Sequence, residues 1–116
     1  MTIYEKISDA LALLQIPIEE DFFGDGEDEY ITFTLIRDGA AISADDEPVH
    51  EVADLQIHYF LPRDREYAET QKRIRRLLLE AGFTWPAVTV IVEPDDKTRH
   101  IVFECELEND DELEVD

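Results

Sequence analysis

The chain opens with a pattern typical of an amphipathic helix. Apolar residues recur three or four positions apart, at Ile3, Ile7, Ala10, Leu11 and Leu14. Thr2 followed three positions later by Glu5 is a capping box, the arrangement that begins many helices. Pro17 ends the pattern because proline cannot continue a helix. We therefore predict a first helix that occupies most of the chain before Pro17.

Strand-like alternation of apolar and polar residues appears in four later stretches, residues 30–37, 55–62, 88–93 and 99–107. Residues 19–29, with seven acids, predict a charged loop. Residues 38–49 carry small and acidic side chains and predict a connection too long for a simple hairpin. Loops of that length within a domain often carry function, so this one is a candidate contact element.

A second helical pattern runs through residues 64–81, with Gly82 placed where a left-handed cap would end it. Its apolar stripe consists of Tyr67, Ile74, Leu77, Leu78 and Ala81. The order helix, two strands, helix, two strands predicts an α+β domain. We expect a four-stranded, largely antiparallel sheet with both helices packed on one face, a single domain over residues 1–107, and a flexible acidic tail over residues 108–116.

Charge excludes several classes of function. Among 116 residues, 30 are Asp or Glu and 10 are Lys or Arg, which gives a formal net charge of −20. Unaided binding to nucleic acid or to an anionic membrane is therefore not expected. Apolar residues at 44% and aromatic residues at 9% still predict a folded core. No apolar stretch is long enough to span a membrane, and neither region of a signal peptide opens the chain, so we expect a cytoplasmic protein.

The few cations are concentrated on one element. Six of the ten basic residues lie on the second predicted helix or at its mouth, namely Arg63, Arg65, Lys72, Arg73, Arg75 and Arg76. One interpretation is a solvated face whose cations pair locally with Asp64, Glu66, Glu69 and Glu80. The other is an interface that meets an acidic surface of a neighbouring copy, with Arg73 and Arg76 as its candidate residues.

Catalytic, cofactor and metal motifs are weak or missing. The sequence has no glycine-rich phosphate motif. Asp21, Asp25 and Gly26 match part of a calcium loop, but Phe23 and Thr32 occupy positions that require ligands. His58 and His100 fall on the polar sides of two strands, and two strand histidines with a nearby carboxylate can bind zinc, but the sequence does not fix their separation. Cys105 falls on an apolar side and is expected to pack. We expect no enzyme activity, no cofactor and no metal.

Several segments in this order resemble one known family. They are residues 30–33 (YITF), 45–48 (DDEP), 55–59 (LQIHY), 74–78 (IRRLL) with 81–83 (AGF), and 99–103 (RHIVF). The chain resembles the tail terminator proteins, also called tail completion or head-tail joining proteins, of long-tailed siphovirus-like bacteriophages and prophages. The resemblance extends from the first helix to Leu107 and does not include the acidic tail.

The resemblance implies a virion protein that assembles, in the host cytoplasm, into a ring of commonly six copies at the head-proximal end of the tail tube. It would stop tube polymerisation and provide a docking surface for the head connector, with the major tail tube protein as a further partner. DNA would pass through the ring without specific binding. Acids that face the channel or an interface are then expected at Glu27, Asp28, Glu29, Asp45, Asp46 and Glu47.

Two alternatives remain at the level of sequence. An acidic inhibitor or nucleic-acid mimic that blocks a basic site on an enzyme would carry the same excess of carboxylates, because an array of carboxylates can imitate phosphates. A tail assembly chaperone or connector adaptor would also fit within phage morphogenesis. Neither alternative requires catalytic residues.

Overall fold

A computed structural model describes residues 2–21, 26–44, 47–95 and 97–109. Two α-helices and five strands make up the domain, and a short 3-10 turn, Ala12–Leu14, follows the first helix. In chain order the elements are α1 Ile3–Leu11, β1 Ile18–Glu20, β2 Tyr30–Ala44, β3 Glu47–Pro62, α2 Ala68–Glu80, β4 Ala87–Val92 and β5 Thr98–Asn109. Neither helix in the described part of the chain is long and apolar enough to cross a membrane.

The sheet is mixed and five-stranded, with the strand order β1-β2-β3-β5-β4. β1 runs parallel to β2, and the other neighbours are antiparallel. The α+β class and the two helices agree with the sequence analysis, but the expected four-stranded, largely antiparallel sheet in the order α-β-β-α-β-β is wrong. The missed element is β1, which the acidic composition of residues 19–29 concealed.

β1 forms because of long-range pairing and not because of local preference. Two of its three residues are glutamates, which are uncommon in strands. Its register joins Ile18 to Ile31 and Glu20 to Phe33. Backbone hydrogen bonds of 2.8 Å and 2.9 Å, from the Ile31 N–H to the Pro17 carbonyl and from the Asp21 N–H to the Phe33 carbonyl, continue this pairing at both ends.

The long connection expected over residues 38–49 is also wrong, because most of it is strand. β2 continues to Ala44, β3 begins at Glu47, and pairing extends from Tyr30 opposite Phe60 to Ala44 opposite Glu47. The register shifts three times, between residues 35 and 37, 40 and 42, and 42 and 43. Each such irregularity changes which face a residue occupies, so the regular alternation that identifies a strand is lost from the sequence.

One face of the sheet carries the hydrophobic core and both helices. α1 contributes Ile3, Ile7 and Leu11, and α2 contributes Ile74 and Leu78. The sheet contributes alternate residues of its strands, including Ile31, Phe33, Leu55, Ile57, Tyr59, Leu61, Ile101, Phe103 and Leu107. Cys105 is buried beside them, as expected, and burial raises the pKa of its thiol to about 12. The thiol therefore packs in its protonated form.

The start of α1 and the end of α2 are formed by the capping signals that the sequence carries. The Thr2 hydroxyl accepts from the Glu5 N–H, and the Glu5 carboxylate accepts from the Thr2 N–H, which confirms the capping box. At the end of α2, Gly82 has a φ of +102°. The Gly82 N–H donates to the Leu79 carbonyl and the Phe83 N–H donates to the Leu78 carbonyl, a Schellman motif.

Candidate interaction surface on the open face of the sheet

The sheet face opposite the helices, here called the open face, is formed by the alternate residues of β2, β3, β5 and β4. Strand register sets its rows. Tyr30 lies opposite Phe60, Phe60 opposite His100, and His100 opposite Ile91. The next row holds Thr32, His58, Val102 and Thr89, and the third holds Thr34, Gln56, Glu104 and Ala87. The helices leave this face uncovered, although Thr32 and Val102 in its second row are buried by their neighbours.

Three rings stack across the first row. The ring centroids of Tyr30 and Phe60 are 4.7 Å apart, and those of Phe60 and His100 are 4.1 Å apart. Ile91, with 39% of its surface exposed, extends the row to the edge of the sheet. Burial, followed by the negative charge of Glu93, raises the pKa of the Tyr30 phenol. The row is a rigid, partly exposed apolar strip beside a carboxylate.

His58 and His100 form the centre of a hydrogen-bonded chain on the same face. Nδ1 of His58 is 2.6 Å from Nε2 of His100, and Nδ1 of His100 is 2.7 Å from a Glu93 carboxylate oxygen. Nε2 of His58 is 3.1 Å from the side-chain amide of Gln56. Four side chains from β3, β5 and the residue after β4 thereby hold one another in place.

Proton counting defines the state of this chain. The Glu93 carboxylate only accepts, so His100 carries a hydrogen on Nδ1, and a further hydrogen lies between Nε2 of His100 and Nδ1 of His58. Oε1 of Gln56 faces Nε2 of His58, and which histidine nitrogen donates at each contact depends on the tautomers. Burial, followed by the charge of His100, lowers the pKa of His58, while Glu104 opposes that shift. The lowered pKa favours the neutral form of His58.

The distance between His58 and His100, which the sequence does not fix, is too short for both facing nitrogens to bind one zinc ion. Two nitrogen ligands of a tetrahedral zinc ion lie about 3.3 Å apart when each Zn–N bond is 2.0–2.1 Å. The facing nitrogens of His58 and His100 are closer, at 2.6 Å, and they are hydrogen-bonded to each other. Within the described residues, no group of three or more ligating side chains could hold a metal ion.

A shallow acidic cavity of about 360 Å³ lies at the other end of the open face, lined in part by Ile36, Asp54, Thr84, Glu104 and Glu106. Asp54 and Glu106 are direct cross-strand partners. Three carboxylates, those of Asp54, Glu104 and Glu106, line this cavity.

The predicted acidic site residues have different surroundings. The Glu29 carboxylate accepts a 2.5 Å hydrogen bond from the buried Tyr59 hydroxyl and pairs with Arg65 at 3.3 Å. Asp28 lies 3.8 Å from Arg65, and Glu27 is exposed. Glu29 therefore serves the fold, because it partners a buried hydroxyl. Burial, followed by the hydrogen bond to Glu29, raises the pKa of the Tyr59 phenol.

The remaining predicted site residues lie in two other regions. Asp45 and Asp46 fall outside the described residues, as does Asp25 of the partial calcium loop, and the Glu47 backbone pairs with Ala44 at the start of β3. Arg73 and Arg76 are exposed on α2, and neither forms an ion pair with another described residue. Among the predicted site residues whose side chains the structure describes, Asp28 and Glu29 share a partner, Arg65.

Arg75 has a different setting from its neighbours on α2. Its guanidinium lies 4.7 Å from the centre of the Trp85 ring and donates to the Pro86 carbonyl at 3.0 Å and 3.2 Å. This side chain therefore fastens α2 to the segment before β4. Of the cations on the helix, Lys72, Arg73 and Arg76 remain exposed.

Sequence reasoning placed both histidines on the polar side of their strands but missed the rest of the open face. Glu93 and Gln56 carry no signal of their own, because a single Glu or Gln after or within a strand is ordinary. Only the register that sets Phe60 opposite His100 shows that these groups meet. In comparisons with known proteins, no family model and no curated protein matches the chain.

Proposed function

We propose that this chain is a structural subunit of phage morphogenesis, a tail terminator that caps the head-proximal end of the tail tube, stops tube polymerisation and presents a docking surface to the head connector. The observation that carries the proposal is a two-stranded extension of the sheet, here called the arm. It consists of residues 40–44 of β2 and residues 47–51 of β3.

The arm extends beyond its neighbours in the sheet. Among the residues that the structure describes, β5 follows β3 as far as the pair Glu51 and Asn109, and β1 pairs with β2 between Ile31 and Phe33. At about 3.3 Å per residue, a strand of five residues makes an element about 16 Å long. A two-stranded ribbon is marginally stable in water without a third strand or a packed helix. Such a ribbon is stabilised when another molecule supplies the third strand or the packed helix.

The open face supports the same proposal. The helices do not cover this face, and its stacked row of Tyr30, Phe60 and His100 is partly exposed. No described group of the face is arranged as a nucleophile with an activating base. A rigid surface of rings and carboxylates suits binding to another protein better than it suits catalysis.

The charge of the chain fits a ring around DNA. Carboxylates near a channel repel phosphates and let a genome slide, and they act only within about 8 Å at physiological salt. In this proposal the copies form a ring, with six as the number that the resemblance implies, and the tail tube and head connector bind its two sides. DNA passes through without specific binding, and the mature location is the virion.

A second candidate function draws on the acidic cavity. Asp54, Glu104 and Glu106 give this cavity an acidic lining. An acidic inhibitor that occupies a basic site on an enzyme would present such a surface. A tail terminator is required for normal tails, whereas an inhibitor is not, so one experiment separates the two candidates.

Electron microscopy of particles made without this chain tests the proposal. We expect tail tubes of uncontrolled length, or finished tails that fail to join heads, and rescue by the wild-type chain. A variant in which residues 40–51 are replaced by a two-residue Asn-Gly turn should fold and yet fail to rescue. Normal virions in the absence of the chain would refute the terminator role and favour the inhibitor.

A further inference from the structure

The two edges of the sheet are built differently. A proline directly precedes both edge strands, Pro17 before β1 and Pro86 before β4. β1, at one edge, differs in that it has three residues, two of them acidic. Short length and charge are devices that prevent a strand edge from pairing with another chain. β4, at the other edge, runs for six residues, from Ala87 to Val92, without a charge or a proline. Its register with β5 is continuous and contains no bulge.

Apolar side chains of β4 are exposed on both faces of the sheet. Val90 is 42% exposed and Val92 is 73% exposed on the helix side, and Ile91 is 39% exposed on the open face. Of the three valines on the helix side, Val88 packs against the core and is partly buried. β4 is therefore an unprotected edge, in a chain that is otherwise strongly acidic.

A second uncharged edge occurs on the arm, although its register with β3 shifts between residues 40 and 42 and between 42 and 43. Residues 39–44 of β2 have the sequence GAAISA, which is also six residues without charge. β1 covers β2 only from Ile31 to Phe33, so in the described part of the chain the outer edge of residues 39–44 has no strand beside it. The other strand of the arm begins with Glu47 and Pro48 and ends its two-stranded part at Glu51.

Electrostatics selects between the possible contacts of one copy with another. Each copy carries a formal charge of −20, so two copies repel each other wherever acidic surfaces meet. Contact is least opposed where neither partner carries charge. β4 and residues 39–44 are strand edges of that kind, and they have the same length.

We propose that the outer edge of β4 in one copy pairs with the outer edge of residues 39–44 in a second copy, so that the sheet continues from subunit to subunit. This inference rests on the proposed assembly function and specifies its contact. The two edges are different surfaces, so the contact is head-to-tail and repeats around a closed ring. Pairing of β4 with β4 of the second copy would instead stop at a dimer.

Cross-linking between two singly substituted proteins tests the pairing. Val90→Cys and Ile42→Cys are prepared separately, and the native Cys105 does not compete because it is buried. With a short bis-maleimide reagent, the mixture should give a cross-linked dimer at a yield at least tenfold above either protein alone. Equal cross-linking of Val90→Cys with itself would show the β4 to β4 contact and overturn the proposal.

A charge placed on the edge gives a second test with a matched control. Val92→Glu and Leu13→Glu make the same chemical change at side chains that are both 73% exposed, but Leu13 lies in the turn after α1 and not on a strand edge. We expect Val92→Glu to weaken self-association at least tenfold in sedimentation velocity, and Leu13→Glu to leave it within twofold. Equal effects of the two substitutions would overturn the proposal.

The same cross-link measured in assembled tails separates this inference from the proposed function. Tails that require the chain but show no cross-link between positions 42 and 90 would refute the strand pairing and leave the terminator role intact. Cross-linked rings together with normal virions in the absence of the chain would keep the pairing and refute the terminator role.

Discussion

Substitution of Ile57 by alanine, compared with the same change at Gln56, tests whether one face of the sheet holds the fold while the other is available for contact. The two residues are neighbours on β3, the central strand of the sheet order, and their side chains point to opposite faces. Ile57 is fully buried against the core that the helices cover, whereas Gln56 is partly exposed on the open face.

The expected magnitudes follow from these surroundings. Ile57→Ala removes three buried carbon groups, each worth about 0.8 kcal/mol of transfer free energy. The cavity left behind adds to this loss, and buried Ile to Ala changes destabilise by about 2–5 kcal/mol. We expect about 3–4 kcal/mol here because surrounding strands limit collapse. Gln56→Ala loses one partly exposed hydrogen bond to His58, worth about 1 kcal/mol or less.

Urea unfolding followed by circular dichroism measures both changes. A domain of 116 residues has a free energy of unfolding of about 6–17 kcal/mol, so both variants should still be folded in water. We expect a lower midpoint with an unchanged slope for Ile57→Ala, and a midpoint near that of the wild type for Gln56→Ala. Equal losses at the two positions would refute the division of the sheet into a core face and an open face.

Three further predictions concern single features of the fold. Gly82→Ala should destabilise by about 1–2 kcal/mol in urea unfolding, because alanine is strained at φ +102°. There is room for the new Cβ, which would lie 3.8 Å from Leu107, so the loss would come from the backbone. An unchanged free energy of unfolding would refute the role of Gly82 in the cap. Thr2→Ala should cost about 1 kcal/mol, with Thr2→Ser as the control that retains the hydroxyl. The lowered pKa of His58 means that the unfolded chain binds more protons below about pH 6.5, so stability should fall as the pH decreases through that range, and His58→Gln should reduce the fall. An NMR titration that places the pKa of His58 at or above its ordinary value would contradict this.

Signals between residues close in the chain were sufficient to predict both helices, the start of α1 and the end of α2. The Thr2 and Glu5 box and the Gly82 cap each depend on residues within one turn, so the sequence alone predicts them. α2 nevertheless begins at Ala68, several residues after Asp64, because the periodic pattern starts before the backbone is helical. Element boundaries depend on backbone hydrogen bonds that the pattern does not encode.

Features that depend on long-range pairing were not predictable in the same way. β1 is a strand only because β2 lies beside it, and its two glutamates argue against a strand when they are read locally. In the arm, register shifts interrupt the alternation of apolar and polar residues that identifies a strand. The contact between His58 and His100 follows from register, which no local pattern in either strand specifies. These are the elements that form the candidate interaction surface.

Hydrogen exchange of the backbone amides, compared between the isolated chain and assembled tails, tests most directly whether the arm is an assembly element. The account predicts that amides of residues 40–44 and 47–51 exchange at least tenfold more slowly in tails, because a neighbouring molecule supplies the layer that the two-stranded ribbon lacks. Amides in the centre of β3, which already pair on both sides, should change little. Unchanged exchange along the arm in assembled tails would contradict the account.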